Sequence, residues 1–280
     1  MSDPVRTRIV FTLDLEDHRP DDHAELRFPA VTDELLDDLE SWGVIGTFFV
    51  VGEVVRDHPD LVARVAARGH EMGLHGARHV PLPDIDPEVF RAEVGEAGDR
   101  LAQTIQQPVV GFRAPIFSMV PAAAWAPAVL GDLGYRYSSS VLPARNPLYG
   151  WPGAPATPFR WPSGLIEVPS PTFGIGPFRV PILGGVYLRV APRPLVRFAA
   201  RRLADHRGAW CYTHPYDFDP GEQRWELPEV GRLGSRVMWW GRAGMRSRVE
   251  ELVGGGTARM VDVVDRLGDP PVFDPEEIAA

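Results

Sequence analysis

Two histidines four residues apart are the strongest sign of chemistry in this sequence. They are His75 and His79, in the segment Gly-His-Glu-Met-Gly-Leu-His-Gly-Ala-Arg-His at residues 69–79. If the segment makes a helical turn, both rings lie on one face and can share a metal ion. The same spacing also occurs by chance on protein surfaces, so the assignment depends on further ligands. We interpret His70, inside the preceding apolar run, as structural.

A second polar segment supplies candidate carboxylate ligands. Thr-Leu-Asp-Leu-Glu-Asp-His, residues 12–18, ends a predicted strand in three acids, which are costly to bury unpaired. Asp14 and Glu16 alternate onto one strand face, whereas Asp17 starts the loop. One carboxylate could complete a two-histidine, one-carboxylate metal site with open positions for water and substrate, and another could serve as general base. Alternation favours Glu16 as the ligand, with Asp17 as the alternative. Without the histidines, a solvated acidic loop would be the better interpretation.

Two further segments follow predicted strands. Gly-Phe-Arg-Ala-Pro-Ile-Phe at residues 111–117 contains Arg113, and Cys-Tyr-Thr-His-Pro-Tyr-Asp-Phe-Asp at residues 211–219 contains His214. Taken alone, the arginine predicts no more than a structural ion pair, and one histidine before a proline is a weak signal.

Short apolar runs alternate with helical patterns along the chain, which is typical of parallel α/β architecture. Acids and histidines recur at the carboxyl ends of the predicted strands, where barrel-like folds assemble their active sites. We predict one domain over residues 1–280, with a core of about 8–215 and a C-terminal extension, 216–280, packed on it. Predicted strands are 8–14, 44–51, 70–74, 109–112, 135–138, 210–214 and one near Arg259; predicted helices are 31–42, 59–68, 87–105, 121–133, 192–205, 244–253 and a terminal helix.

The composition narrows the classes of partner and location. The net charge of −9 argues against a nucleic-acid partner, because phosphate binding usually requires a basic face. No apolar stretch reaches the roughly 20 residues of a membrane helix, so no integral membrane segment is expected. The start of the chain lacks the pattern of a signal peptide, and the single Cys211 cannot form an internal disulfide. These features predict a cytoplasmic location.

Taken in order, the four segments resemble the polysaccharide deacetylase (NodB-homology) family, carbohydrate esterase family 4, over residues 8–215. The joint pattern is far more specific than any single segment. The stretch Gly-Gly-Val-Tyr-Leu-Arg at 184–189, with the region after His214, is similar to a subgroup associated with exopolysaccharide loci. The resemblance implies an α/β fold, a distorted (β/α) barrel of about seven strands.

The resemblance also implies roles for individual residues. It implies a divalent metal, zinc, although the same ligands accept cobalt, nickel or iron. The implied reaction is hydrolysis of an N-acetyl group on a carbohydrate. The matched residues are Asp14 as catalytic base, Arg113 as the arginine that holds it, His75 and His79 as metal ligands, the backbone N–H of Ile116 as oxyanion donor, and His214 as general acid.

Two departures from the family pattern matter. The usual adjacent aspartates are replaced by Asp14-Leu15-Glu16-Asp17, so the third metal ligand is Glu16 or Asp17. The Asp-Trp pair that supports the general acid is missing, and Asp217 or Asp219 could orient His214 instead.

The sequence leaves the substrate and the exact reaction open. Tyr187, Arg189 and Trp161 are candidate substrate contacts. Hydrolysis of another C–N bond or of an acetyl ester, and a catalytically inactive carbohydrate-binding homologue, are the alternative functions. The tryptophan- and arginine-rich segment 238–248 could touch a membrane surface, but we interpret it as packed on the barrel. The oligomeric state is not predicted.

Overall fold

The computed structural model describes residues 9–21, 23–176, 178–204, 208–226, 231–254, 256 and 258–275, without the side chain of residue 233. The strands are β1 (Val10–Leu15), β2 (Thr47–Val50), β3 (Glu71–Leu74), β4 (Gly111–Phe112), β5 (Tyr137–Ser138), β6 (Phe159–Arg160), β7 (Ile166–Glu167), β8 (Phe173–Ile175), β9 (Phe178–Val180) and β10 (Trp210–Thr213). The helices are α1 (Phe28–Ser41), α2 (Gly52–Asp57), α3 (Pro59–Ala67), α4 (Pro87–Ile105), α5 (Ala126–Asp132), α6 (Gly185–Val190), α7 (Arg193–Ala204), α8 (Gly231–Trp239), α9 (Met245–Val253) and α10 (Met260–Arg266).

The main sheet contains eight strands in the order β10-β1-β2-β3-β4-β5-β7-β6. Every neighbouring pair from β10 to β7 is parallel, and only the edge strand β6 runs antiparallel to its neighbour. Seven parallel strands thus form a curled half-barrel. This confirms the predicted α/β fold, a distorted (β/α) barrel of about seven strands. A separate hairpin pairs β8 with β9.

Side-chain alternation in β1 divides the core into two layers. Phe11 and Leu13 belong to the large apolar cluster shared with α1, whereas Val10 belongs to a smaller cluster on the other side of the sheet. Successive strand residues point to opposite faces, so Thr12 and Asp14 share the side of Val10. Each fully buried leucine or phenylalanine stabilises the fold by about 1.5–3 kcal/mol. This packing fixes the register of β1 and therefore the position of Asp14.

Local sequence signals explain why α4 matches its predicted bounds, residues 87–105. The side chain of Asp86 accepts hydrogen bonds from the backbone N–H groups of Glu88 and Val89, and Pro87 occupies the first turn. Both features favour a helix start at this point. The helix ends at Ile105, and the next residue, Gln106, has a left-handed conformation.

Two predictions about secondary structure are wrong. The strand near Arg259 is absent, because this residue immediately precedes α10, whose first N–H groups bond to the sheet. The N–H of Met260 donates to Thr47 Oγ1, and that of Val261 donates to Glu71 Oε2. The helix predicted at 121–133 is a 3₁₀ turn followed by the shorter α5. In the part of the chain that the structure describes, no helix is long and apolar enough to cross a membrane.

Candidate active site

A buried ion pair between Asp14 and Arg113 lies at the carboxyl ends of β1 and β4. Arg113 Nη1 donates to Asp14 Oδ1 at 2.6 Å and to Thr12 Oγ1 at 2.9 Å. The guanidinium lies between the rings of Phe49 and Trp210, at 4.1 and 4.3 Å from their centroids. These contacts hold the arginine in one orientation, so one oxygen of Asp14 is fixed and the other stays available.

Serines that follow β5 complete the support of Arg113. Arg113 Nε donates to the carbonyl of Ser139 at 3.2 Å, and Nη2 donates to the Ser139 hydroxyl at 3.3 Å. The Ser140 hydroxyl accepts from the backbone N–H of Ala114 at 2.8 Å. The sequence analysis gave this Ser-Ser-Ser stretch, residues 138–140, no role in the site. Its place at the end of a predicted parallel strand was the available signal for a role in the site.

Glu16, His75 and His79 form a candidate metal centre. One ligand atom from each lies within 4.8 Å of the other two. His79 Nε2 lies 2.8 Å from Glu16 Oε2. His75 Nδ1 lies 2.9 Å from the carbonyl of Arg113, and because a carbonyl only accepts, this nitrogen carries the hydrogen. The lone pair of His75 Nε2 is therefore free to bind a cation.

The charges of the three residues suit a cation. Burial lowers the pKa of His75 to about 4, so its ring is neutral at physiological pH. Burial opposes ionisation of Glu16, but the charge of His79, its hydrogen bond to Glu16 and the charge of His214 outweigh burial and hold the pKa of the carboxyl below its usual range. Burial also opposes a charge on His79, yet Glu16 raises its pKa. Two imidazoles and one carboxylate fit zinc and similar divalent ions.

The loop between His75 and His79 differs from the predicted helical turn. Residues 75–80 are not helical, and Gly76 has a positive φ of 74°. A Cβ atom at Gly76 would lie 2.9 Å from the carbonyl oxygen of Arg78, so the bend suits glycine. The two histidine rings still meet, with centroids 5.3 Å apart.

The structure disagrees with the alternative that Asp17 is the third ligand. Asp17 lies outside the group of potential ligands, and its carboxylate pairs with Arg19 at 2.7 Å. Asp14 lies in β1, and Glu16 directly follows the strand on the same face. Alternation therefore turns the next residue, Asp17, away from that face.

His214 faces this group from the end of β10. Its Nε2 lies 3.9 Å from Asp14 Oδ2 and 4.0 Å from Glu16 Oε1. Its Nδ1 lies 3.0 Å from Asp217 Oδ2, and the ring of Tyr216 stacks on it with centroids 4.6 Å apart. Burial opposes protonation of His214, but Asp217 outweighs that effect and raises its pKa. A proton donor thus lies opposite a candidate base.

Of the two aspartates proposed to orient His214, the structure selects Asp217. Asp217 is fully buried and ion-paired with Arg189 Nε at 2.8 Å. Asp219 instead pairs with Arg27, whose Nε lies 2.6 Å from Asp219 Oδ2. This Arg189–Asp217 pair is a feature of the site that sequence reasoning missed.

Two predicted substrate contacts are wrong because their side chains are buried. The side chain of Arg189 points to Asp217 and is inaccessible to substrate. Trp161 is 1% exposed and packs against Phe159 and Phe273, so it belongs to the core. Tyr187 is half-buried on α6, and its contact with substrate stays a prediction.

The predicted oxyanion donor lies in an unusual backbone segment. Ile116 and Phe117 have positive φ values of 54° and 52°. Such conformations cost non-glycine residues about 1–3 kcal/mol each and often occur at functional sites. The segment directly follows the loop that carries Arg113, and Ile116 is 36% exposed. Its role as oxyanion donor stays a prediction.

Comparisons with known proteins agree with this architecture. Residues 7–138 match the family model described as polysaccharide deacetylase, and residues 139–263 match a model described as a domain of unknown function, DUF3473. Residues 7–138 are therefore similar to the polysaccharide deacetylase family, in agreement with the predicted resemblance. The first match contains Asp14, Glu16, His75, His79 and Arg113; the second contains His214 and Asp217.

Curated relatives match over limited stretches. A chitooligosaccharide deacetylase from Rhizobium leguminosarum bv. trifolii is 40% identical over 82 residues, which are 29% of this chain and 38% of that protein. A chitin deacetylase from Pestalotiopsis is 34% identical over 110 residues, which are 38% of this chain and 36% of that protein. The chain thus spans little more than a third of the length of these relatives.

The fold has a solved counterpart of similar size. A crystal structure from Mycobacterium smegmatis, provisionally named a polysaccharide deacetylase, superposes with a TM-score of 0.58 at 20% identity. The superposition covers 98% of this chain and 97% of that chain. This likeness concerns the fold.

Proposed function

We propose that this protein is a metal-dependent hydrolase that removes N-acetyl groups from an N-acetylated sugar. The observation that carries the proposal is the meeting of three groups: the base Asp14, the proton donor His214, and the potential ligands Glu16, His75 and His79. They come from the carboxyl ends of three parallel strands, β1, β3 and β10, and lie within a few ångströms of one another. The names of the matched relatives support an N-acetylated carbohydrate as substrate.

Glu16, His75 and His79 would hold the divalent ion, which we propose to be zinc. When bound, such an ion lowers the pKa of a water molecule and polarises a carbonyl oxygen. His75 is prepared for this role by its hydrogen bond to the Arg113 carbonyl, which fixes both tautomer and ring orientation.

Asp14 would accept the proton of the attacking water at Oδ2. Arg113 occupies Oδ1 and cannot accept a proton itself, so Oδ2 is the oxygen left for proton transfer. The same oxygen lies 3.9 Å from both His75 Nε2 and His214 Nε2, which places it between the ligand group and the acid. The backbone N–H of Ile116 would stabilise the developing oxyanion.

His214 would protonate the departing sugar amine from Nε2. Asp217 accepts a hydrogen bond from Nδ1 of His214, so the ring presents its other nitrogen, Nε2, to the site. An amine leaves as a neutral molecule only if a proton reaches its nitrogen, since an amide anion is a poor leaving group. Asp14 and His214 would thus act in sequence, the first as base and the second as acid.

Acetate release tests the proposal against its alternatives. The purified chain would be stripped with a chelator, reloaded with zinc, and incubated with N-acetylglucosamine oligomers. We expect acetate only from the reloaded protein. Metal binding without acetate would indicate another C–N bond or an acetyl ester as substrate, and sugar binding without metal would indicate an inactive carbohydrate-binding homologue.

The proposal also covers the cellular location of the protein and the subgroup that indicates its biological substrate. A free, buried Cys211 supports a cytoplasmic location, where thiols stay reduced. We further propose membership of the exopolysaccharide-associated subgroup, on the resemblance of residues 184–189 given above.

A further inference from the structure

The β8–β9 hairpin projects the two most exposed large apolar side chains of the described part of the chain. Ile175 is 88% exposed and Phe178 is 84% exposed. They are register partners on the two strands of the hairpin. Single exposed apolar residues are ordinary on protein surfaces, but two at the end of one projecting hairpin indicate a binding surface.

Helix α7 continues this apolar surface. The ring of Phe173, at the base of the hairpin, meets the ring of Phe198 on α7 with centroids 5.9 Å apart. Phe198 and Leu195 are three positions apart on the helix and are 50% and 42% exposed. The opposite side of α7 is anchored in the core through buried residues such as Val196. We call Ile175, Phe178, Leu195 and Phe198 the hairpin–α7 patch.

Near this patch lie arginines that have no acidic partner among the residues that the structure describes. Arg179, Arg201 and Arg202 are exposed, and none forms an ion pair with any residue that the structure describes. The Arg202 guanidinium lies 5.4 Å from the Phe198 ring, next to the apolar surface. Arg197, elsewhere on the same helix, is by contrast paired with Glu251. Because the whole chain carries a net charge of −9, this local excess of positive charge is unusual.

We propose that the hairpin–α7 patch docks the protein on an anionic phospholipid bilayer. Ile175 and Phe178 would enter the headgroup region, and Arg179, Arg201 and Arg202 would contact lipid phosphates. Apolar side chains that project from a basic surface suit a deformable lipid interface. The negative charge of the rest of the chain would be repelled by the same bilayer, so this face alone would approach it. The proposal is independent of the proposed catalytic function.

Vesicle binding tests this docking surface. The full chain would be sedimented with vesicles of phosphatidylcholine alone and with vesicles that also contain phosphatidylglycerol. We expect binding to the anionic vesicles only, and weaker binding as ionic strength rises. The double variants Ile175→Ser/Phe178→Ser and Arg201→Gln/Arg202→Gln should each reduce partitioning by about tenfold or more.

Matched control variants separate this surface from general effects of charge and hydrophobicity. Val89→Ser/Leu148→Ser removes two exposed apolar side chains elsewhere, and Arg56→Gln/Arg100→Gln removes two other exposed arginines. Both controls should bind vesicles like the unaltered protein. All variants should unfold at the same urea concentration, because the substituted side chains are exposed.

Three results would overturn the proposal. The first is no binding of the unaltered protein to anionic vesicles. The second is unchanged binding by both patch variants. The third is a dimer in solution that the Ile175→Ser/Phe178→Ser variant dissociates, which would assign the patch to a second copy of the chain. Vesicle binding does not require turnover, so failure here leaves the proposed hydrolase activity unaffected.

Discussion

Oδ2 of Asp217 lies within hydrogen-bond distance of two N–H groups of His214, the backbone amide at 2.9 Å and the ring Nδ1 at 3.0 Å. The other oxygen of Asp217 lies 2.8 Å from Arg189 Nε in a fully buried ion pair. A carboxylate held in this way keeps the hydrogen of His214 on Nδ1 and directs Nε2 towards Asp14. The orientation of the proton donor therefore depends on a residue three positions along the chain and on an arginine from α6.

Replacing Asp217 with asparagine should damage catalysis without removing the metal site. An amide can present its NH₂ group to Nδ1 and favour the wrong tautomer, so we expect turnover to fall by about a hundredfold or more. Asp219→Asn is the matched control, because Asp219 pairs with Arg27 instead. Steady-state kinetics and metal content would be measured for both variants. Equal turnover in the two variants would show that Asp217 has no special role.

The third metal ligand can be identified by comparing neighbouring acids. We expect Glu16→Ala to lose at least about tenfold in zinc affinity, because it removes a carboxylate close to both His75 and His79. Asp17→Ala should bind zinc almost normally, since Asp17 pairs with Arg19. Competition with a chromophoric chelator measures both affinities. The opposite order, with the larger loss for Asp17→Ala, would move the ligand to the loop.

The two histidines should affect metal content and activity together. His75→Ala and His79→Ala each remove one nitrogen ligand of the proposed site, so elemental analysis should find less zinc and turnover should fall in parallel. His23→Ala provides a control at an exposed histidine that lies outside this group of ligands. Stoichiometric zinc with full turnover in His79→Ala would contradict the assignment.

His70 should contribute to the pH dependence of stability. Its Nδ1 accepts from the N–H of Gly46 at 3.2 Å, and burial lowers its pKa from 6.5 to about 4. Between these values the unfolded chain binds more protons than the folded chain, so the free energy of unfolding falls as the pH falls from 6.5 to 4. The contribution amounts to about 3 kcal/mol across that window.

Urea unfolding of His70→Asn isolates this effect. Asparagine can still accept from Gly46 but does not titrate, and the other histidines are the same in both proteins. The difference in unfolding free energy between the unaltered protein and the variant should therefore change by about 3 kcal/mol between pH 7 and pH 4. Parallel pH profiles for the two proteins would show that His70 does not titrate in this way.

The site residues at the ends of strands could be predicted, because their positions depend on the local pattern of apolar and polar residues. Alternation in β1 placed Asp14 and Glu16 on one face, and the end of a buried strand located His214. Prolines and acidic residues at helix starts are also local signals, and the predicted bounds of α4 match the structure to the residue. The strands β4 and β5 lie inside the predicted strands 109–112 and 135–138, but the two-residue strands β6 and β7 received no individual prediction, because so short a stretch carries almost no periodicity.

The incorrect predictions of substrate contacts depend on packing between distant parts of the chain. Arg189 and Trp161 have side chains that suit carbohydrate recognition, and the sequence does not record that both become buried. An arginine becomes a support for a carboxylate only when the fold brings α6 against the segment after β10. The Asp217–Arg189 pair and the serines beside Arg113 are non-local in the same sense, and periodicity and spacing do not encode such pairings.

Acetate release by the zinc-loaded protein and its Asp14→Asn variant tests the central claim most directly. The proposed mechanism gives proton transfer to Asp14 Oδ2 and metal binding to other residues, so the variant should keep its zinc and lose about 10²–10⁴-fold in turnover of N-acetylglucosamine oligomers. The unaltered protein should release acetate only when zinc is bound. Acetate release at the same rate by Asp14→Asn, or by the chelator-treated protein, would contradict the account.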